Sequence, residues 1–228
     1  MKSQVTIKII YEDNHLLVVE KPPNIPSQRD DSNDPDMLTL LKDDLRLRHN
    51  KPGNVFLGLV HRLDRPVGGV MVFAKTSKSA SRLSDQIRER EFNKVYYAVI
   101  NGKPLKKEDT LVHYLLKDVK TNIVKSVEPG LPDAKEAILD YEVLNSQDKL
   151  SLVRVILHTG RPHQIRVQLA SIGHPLFGDQ KYGFLQNNNE QIALWSYEIR
   201  FKHPTRDENM VFSSTPPGSF PWNIFKEF

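Results

Sequence analysis

Ala193, Trp195, Tyr197, Ile199 and Phe201 alternate strictly with Leu194, Ser196, Glu198 and Arg200. A period of two sends successive side chains to opposite faces of an extended backbone, so this stretch reads as a half-buried β-strand. A strand needs partners, and the rest of the sequence supplies them. Val5–Ile10 and Leu16–Val19 flank the turn residues Glu12-Asp13-Asn14 and read as a hairpin. Val55–Val60, Val70–Ala74, Val95–Ile100, Ile138–Leu144 and Leu150–His158 are further runs of strand length. Helical spacing is scarcer. Leu38, Leu41 and Leu45 follow Asp34 and Asp36, either of which can cap a helix; Ala80, Leu83 and Ile87 follow Thr76-Ser77 in a helix running to about Arg90. Ile165, Leu169 and Ile172 form a third stripe, with Pro162 at a first helical position and Gly173 at the end. The pattern predicts an α+β fold, a largely antiparallel mixed sheet flanked by a few helices and long loops, in a single domain over residues 1–228. The lysine-rich stretch 101–135 is expected to form long loops.

With 39% hydrophobic residues the chain can bury a core. No stretch approaches the roughly 18 consecutive apolar residues of a membrane-spanning helix, and Met1–Lys8 has no signal-peptide apolar region. The expectation is a cytoplasmic protein. Zero cysteines exclude disulfides, thiolate metal sites and cysteine nucleophiles together. Lys plus Arg number 32 against 28 Asp plus Glu, a net charge of +4 and a mild lean toward polyanions. Lys103, Lys106, Lys107, Lys117, Lys120 and Lys125 gather in one segment; Arg82, Arg88, Arg90 and Lys94 gather in another, diluted by Asp85, Glu89 and Glu91. Such runs are either solvated faces or a nucleic-acid backbone footprint.

The chemistry concentrates in two places. His61-Arg62-Leu63-Asp64 places a carboxylate between Arg62 and Arg65 in an apolar neighbourhood, and Arg65-Pro66-Val67-Gly68-Gly69 then turns the chain into the next strand. Nearby guanidinium groups favour the ionised carboxylate. A charged group on a loop anchored by two strands is where function tends to sit, although a surface salt bridge is the plain alternative. The second place is His158–Gly183, dense in donors and following a strong strand. Arg166 falls beside the Ile165/Leu169 stripe at the edge of the core, where an arginine requires a carboxylate; Asp64 is a candidate partner. His158 and His163, five apart with no thiol and no HExxH pattern, do not make a metal set, and none is expected.

Three segments in order carry a resemblance. His61-Arg62-Leu63-Asp64 with Gly69 resembles an HRLDxxTSG signature, Lys94–Val99 a KxYxAxV segment, and Gly160–Arg166 with His174-Pro175 and Gly178-Asp179 the GRTHQIR and HPxxGD segments of RluA-type RNA pseudouridine synthases. Val67-Gly68 stands where the signature has Thr-Ser, and Pro162 where the family has Thr. The resemblance implies the pseudouridine synthase fold without the small N-terminal RNA-binding domain of many relatives, since the first strand starts almost at Met1. It implies an isomerase that detaches uracil from ribose, rotates it and rejoins it through carbon 5, with no cofactor and with RNA, ribosomal or transfer, as partner. By the resemblance Asp64 is the nucleophile and Arg166 pairs with it. Tyr96 stacks on the flipped base and helps remove the carbon 5 proton, Ile165 lines the uracil pocket, Arg62 occupies the vacated space or holds phosphate, and Lys94 and Arg161 touch the RNA backbone. A monomer is the simpler expectation. Two other readings are an RNA-binding protein of this fold without turnover, and a glycosidic-bond hydrolase, for which no second acidic residue stands out near these motifs.

Overall fold

The structure, a computed structural model, describes residues 6–32, 34–184 and 190–226. In chain order the elements begin with β1 (Lys8–Glu12), β2 (Leu16–Lys21), α1 (Met37–Arg48), β3 (Gly58–Leu59), β4 (Gly68–Ala74) and α2 (Ser77–Arg88). They continue with β5 (Asn93–Asn101), β6 (Glu108–Asp118), β7 (Ile123–Val127), β8 (Lys135–Gln147) and β9 (Leu150–Leu157). The last are α3 (Gln164–Ser171), β10 (Leu194–Lys202), β11 (Asn209–Ser213) and a 3₁₀ turn at Trp222–Ile224. The α+β expectation holds. Val5, where the first strand was expected to open, lies outside the described residues.

Two compact units result. The first takes the chain to Phe92 and then Ser196–Ser214; the second takes Asn93–Trp195 and the chain from Thr215. In the first unit the strands run β1-β2-β4-β10, with β3 on β4 and β11 on β10. β2 and β4 are antiparallel and in unbroken register from Leu16↔Ala74 to Lys21↔Gly69, and every residue of β4 is buried. Their core contains Leu16, Val18, Val70, Val72, Leu83, Phe92, Ile199 and Phe201. α1 starts where Asp36 accepts the Thr39 N–H, and it buries Met37, Leu41 and Leu45 at i, i+4 and i+8. The stripe therefore opens one residue before Leu38. α2 is capped by Thr76, as expected.

In the second unit the order is β5-β9-β8-β6-β7, each neighbouring pair antiparallel. Two expectations fail, one in each unit. Residues 101–135 are not mainly loop: they hold β6 and β7. Those strands bury one face, with Leu111, Leu115 and Val124, and leave lysines and Val112 exposed, so their alternation is masked by charge. The other failure is Val55–Val60, expected as a whole strand, of which only Gly58 and Leu59 pair; Phe56 is half in solvent and packs no sheet face. α3 also begins later than Pro162, at Gln164, because His163 adopts a left-handed φ of 53°. It is buried on every residue from Gln164 to Leu169, rather than along a single stripe.

Gly69, the last residue of the signature, has φ +116°, and a Cβ there overlaps the Ser196 backbone, whose nitrogen would lie 2.7 Å away. Both the conformation and the close approach demand glycine. Gly69→Ala is expected to cost about 3 kcal/mol or more, read as a lowered midpoint in urea unfolding.

Candidate active site

Asp64 stands in a loop whose backbone is fastened at several points within the first unit. The Val67 N–H donates to the Asp64 carbonyl at 3.0 Å and closes a tight turn. On the N-terminal side, buried Ser27 donates its hydroxyl to the Leu63 carbonyl at 2.8 Å and accepts the Leu63 N–H at 3.1 Å. On the C-terminal side, Lys21 Nζ donates to the carbonyls of Pro22 (2.9 Å), Arg65 (3.0 Å) and Val67 (2.7 Å). His61 precedes the turn, with Nε2 accepting the Val72 N–H at 3.1 Å and its ring against Phe92. Two arginines flank Asp64 in sequence. Arg62 is exposed, and Arg65 pairs with Asp34 and, at 3.6 Å, with Asp30.

Lys21 is 0% exposed. Burial drives its ammonium down from 10.5 to about 7; the negative charge of Asp64 works the other way, and Arg65 adds to the lowering. A buried lysine in this unit thus feels the charge of Asp64, at a point where the sequence shows only a break in the chain pattern, Lys21-Pro22-Pro23. Its signal was present: a lysine ending a run of four buried apolar residues, Leu16–Val19, followed by a single glutamate.

The second unit holds the other expected residues. Tyr96 lies on β5 opposite Val155 and is 6% exposed. Lys94, two residues earlier on the same strand, is half-buried, and desolvation lowers its ammonium. Its Nζ faces Gly160, where an added Cβ would sit 3.6 Å from it. Arg161 is exposed, with Nε on the Glu136 carbonyl at 2.8 Å. Gln164 ties the loop before α3 in place: its Oε1 accepts the Thr159 hydroxyl (2.8 Å) and the Arg161 N–H (2.9 Å), while Nε2 donates to the Ile138 carbonyl (3.0 Å). Ile165 is buried beside it.

Arg166 is also buried, and it makes a two-pronged ion pair with Asp179, Nε to Oδ2 at 2.8 Å and Nη2 to Oδ1 at 2.7 Å. Burial alone pushes the Asp179 carboxyl up, but the Arg166 bonds and charge and the N–H groups of Lys181 and Tyr182 outweigh it and hold the carboxyl below its ordinary value. Arg166 thus has the carboxylate that its place at the edge of the core requires. Asp179, thirteen residues along, is one such carboxylate, which the sequence expectation did not name although Gly178-Asp179 belongs to the matched pattern.

The fold places this chain among pseudouridylate synthase domains. Two human solved structures are similar: RNA pseudouridylate synthase domain containing 4, with a TM-score of 0.78 at 22% identity over 92% of this chain and 88% of that one; and RNA pseudouridylate synthase domain containing 1, with 0.76 at 24% over 97% and 88%. The family model for RNA pseudouridylate synthase matches residues 15–171, and the chain belongs to that family of isomerases. An uncharacterized RNA pseudouridine synthase of Aquifex aeolicus (strain VF5) is 36% identical over 95% of this chain and 71% of its own length. The uncharacterized RNA pseudouridine synthase YhcT of Bacillus subtilis (strain 168) is 32% identical over 92% and 69%. Ribosomal large subunit pseudouridine synthase C of Buchnera aphidicola subsp. Baizongia pistaciae (strain Bp) is 32% identical over 90% and 66%.

Lys21 has a thermodynamic signature. Between pH 7 and 10.5 the unfolded chain keeps a proton on this lysine that the folded chain gives up, so this group makes the protein more stable as pH rises through that window. Lys21→Met is expected to abolish that part of the pH dependence of the urea midpoint. It is also expected to lower stability by about 3 kcal/mol or more at pH 7, because three carbonyls lose their donor.

Proposed function

We propose that this chain isomerises uridine in RNA to pseudouridine with Asp64 as the nucleophile. The observation that carries this reading is the fastening of the Asp64 turn by Ser27 and Lys21, which fixes the backbone beneath one carboxylate from both sides. A nucleophile held this way loses little entropy on reaching its target. The carboxylate bonds to the ribose anomeric carbon or to the uracil ring as the glycosidic bond to nitrogen 1 breaks. The base rotates, carbon 5 bonds to the anomeric carbon, and the bond to Asp64 breaks and frees the carboxylate. The carbon 5 proton is removed while nitrogen 1 takes one up. The target uridine first leaves its stack, at a cost of about a few kcal/mol that is smallest in loops and single strands. Tyr96 stacks on the base and assists removal of the carbon 5 proton, Ile165 packs the base, and Arg166, held by Asp179, orients the Asp64 carboxylate. Arg62 enters the vacated space or holds a neighbouring phosphate, and Lys94 and Arg161 meet the RNA backbone. No cofactor takes part.

Val67 and Gly68 fit this reading. Val67 serves the loop through its backbone alone, the carbonyl taking Lys21 and the N–H closing the turn on Asp64, while its side chain is buried. A threonine hydroxyl is not needed for either bond. The relative named for the ribosomal large subunit makes ribosomal RNA the first substrate to test. Among the described residues no helix is long and apolar enough to cross a membrane, and we place the protein in the cytoplasm as a monomer within this proposal.

Asp64→Asn protein is expected to bind unmodified ribosomal RNA within about threefold of wild type and to form no pseudouridine, read by chemical mapping after incubation. Turnover at the wild-type rate would remove Asp64 from its role, and release of free uracil would point to hydrolysis instead. A second expectation concerns charge: Lys117, Lys120 and Lys125 are all exposed. Their combined change to Ala should flatten the log–log salt dependence of RNA binding by up to about 2, at roughly 0.7 for each phosphate no longer neutralised.

A further inference from the structure

Beyond Leu115 the β6–β7 hairpin loses its third strand: β8 pairs β6 only from Glu108 to Leu115, whereas Leu116, Lys117 and Asp118 pair with β7 alone. A two-stranded ribbon is marginal in water by itself. The tip is closed by Asp118, whose Oδ1 accepts the N–H groups of Lys120 (2.8 Å) and Thr121 (3.2 Å). All three lysines are exposed, Lys117 on the Val124 face of the ribbon, Lys125 on the opposite face beside Leu116, and Lys120 at the tip, so they ring its end. What holds it down is the segment Asp179–Tyr182. The Tyr182 hydroxyl accepts the Val124 N–H at 2.9 Å, and Lys181 Nζ donates to the Asn122 carbonyl at 3.0 Å. Val124 is buried with Leu115, Ala137 and Val167, and Tyr182 packs against that cluster.

The same tyrosine faces Arg166. The guanidinium carbon lies 5.2 Å over the centre of its ring. The Tyr182 N–H donates at 3.1 Å to Asp179 Oδ1, the oxygen that also takes Arg166 Nη2. The hydroxyl is also hydrogen-bonded to His163 Nδ1, 2.7 Å away at the left-handed residue before α3. One side chain thus bridges a basic ribbon, the start of α3 and the arginine assigned to the reaction.

We propose that Tyr182 is a positioning residue with two separable parts: its ring sets the Arg166 guanidinium, and its hydroxyl latches the β6–β7 ribbon so that RNA held by Lys117, Lys120 and Lys125 is held in register with that arginine. The inference rests on the reading of Arg166 as catalytic and of the ribbon as facing RNA. It adds a residue whose aromatic face and hydroxyl do different work.

Tyr182→Phe keeps the ring and removes the latch; Tyr182→Leu removes both. In Tyr182→Phe the Val124 amide should exchange at least about tenfold faster, and RNA should bind roughly threefold to tenfold more weakly, with single-turnover kcat within about twofold of wild type. Tyr182→Leu should lose a further tenfold or so in kcat, a loss that the phenylalanine variant rescues. A merely structural tyrosine would lower the unfolding midpoint in both variants and leave the split between RNA affinity and kcat unmoved. Wild-type exchange at Val124 in Tyr182→Phe overturns the latch. Wild-type kcat in Tyr182→Leu overturns the role of the ring, provided Arg166→Lys is impaired. Wild-type kcat in Arg166→Lys overturns instead the reading beneath the proposal, and the ring's role falls with it. Unchanged RNA binding in the triple Lys→Ala protein overturns the RNA-facing ribbon while Val124 exchange still reports the latch.

Discussion

A lysine ammonium withdrawn wholly from water is the support on which the Asp64 loop is built. Removing such a charge from solvent costs several kcal/mol unless hydrogen bonds and an opposite charge replace the lost water. Lys21 has both, three backbone carbonyls around Nζ and the negative charge of Asp64, but they offset the burial only in part, and its pKa falls to about 7. The arrangement works in both directions. The carbonyls of Arg65 and Val67 need the lysine, and the lysine needs the turn that presents them. The β2–β4 pairing, which sets Lys21 opposite Gly69, brings the two together. Ser27 does the same on the other flank with a single hydroxyl that both donates to and accepts from Leu63.

The second unit answers a similar problem with an ion pair. Arg166 is buried on a short helix, and Asp179 meets it with both oxygens. Removing one partner of such a pair leaves an unpaired buried charge, typically worth about 3–5 kcal/mol. Asp179 also accepts the N–H groups of Lys181 and Tyr182, so the pair and the segment around it form one network. Gln164 and Gln168 extend that network to the sheet, Gln168 reaching the carbonyls of Leu111 and Ala137. A helix buried on nearly every side is thereby tied down by side-chain amides rather than by one apolar stripe.

Most strands and helices could be read from periodicity, since Leu16–Val19, Val70–Ala74 and Ala193–Phe201 carry patterns strong enough to survive any context. The β6–β7 ribbon could not, because Lys117 falls at a position of the buried face, in register with Val124, while apolar Val112 lies on the exposed one, which breaks the alternation. Val55–Val60 erred in the opposite sense: apolar and β-prone, but lacking a partner for most of its length. Of the candidate site, the motif residues were legible, and the need of Arg166 for a carboxylate was sound chemistry. That Asp179 meets this need was not visible, because spacing along a chain does not report which carboxylate a turn brings back.

By itself the sequence determined the α+β class, the strand-forming stretches, and the short motifs that place this chain in its family, because side-chain period and local residue order are properties of the chain alone. Tertiary structure decided which groups hold those motifs. Lys21 reached the Asp64 turn through antiparallel register, Asp179 reached Arg166 through the turn after α3, and Tyr182 reached Val124 across more than fifty residues of chain. Each is a contact between groups far apart in sequence or separated by a reversal, and its existence depends on the closing of the backbone, which no local preference specifies.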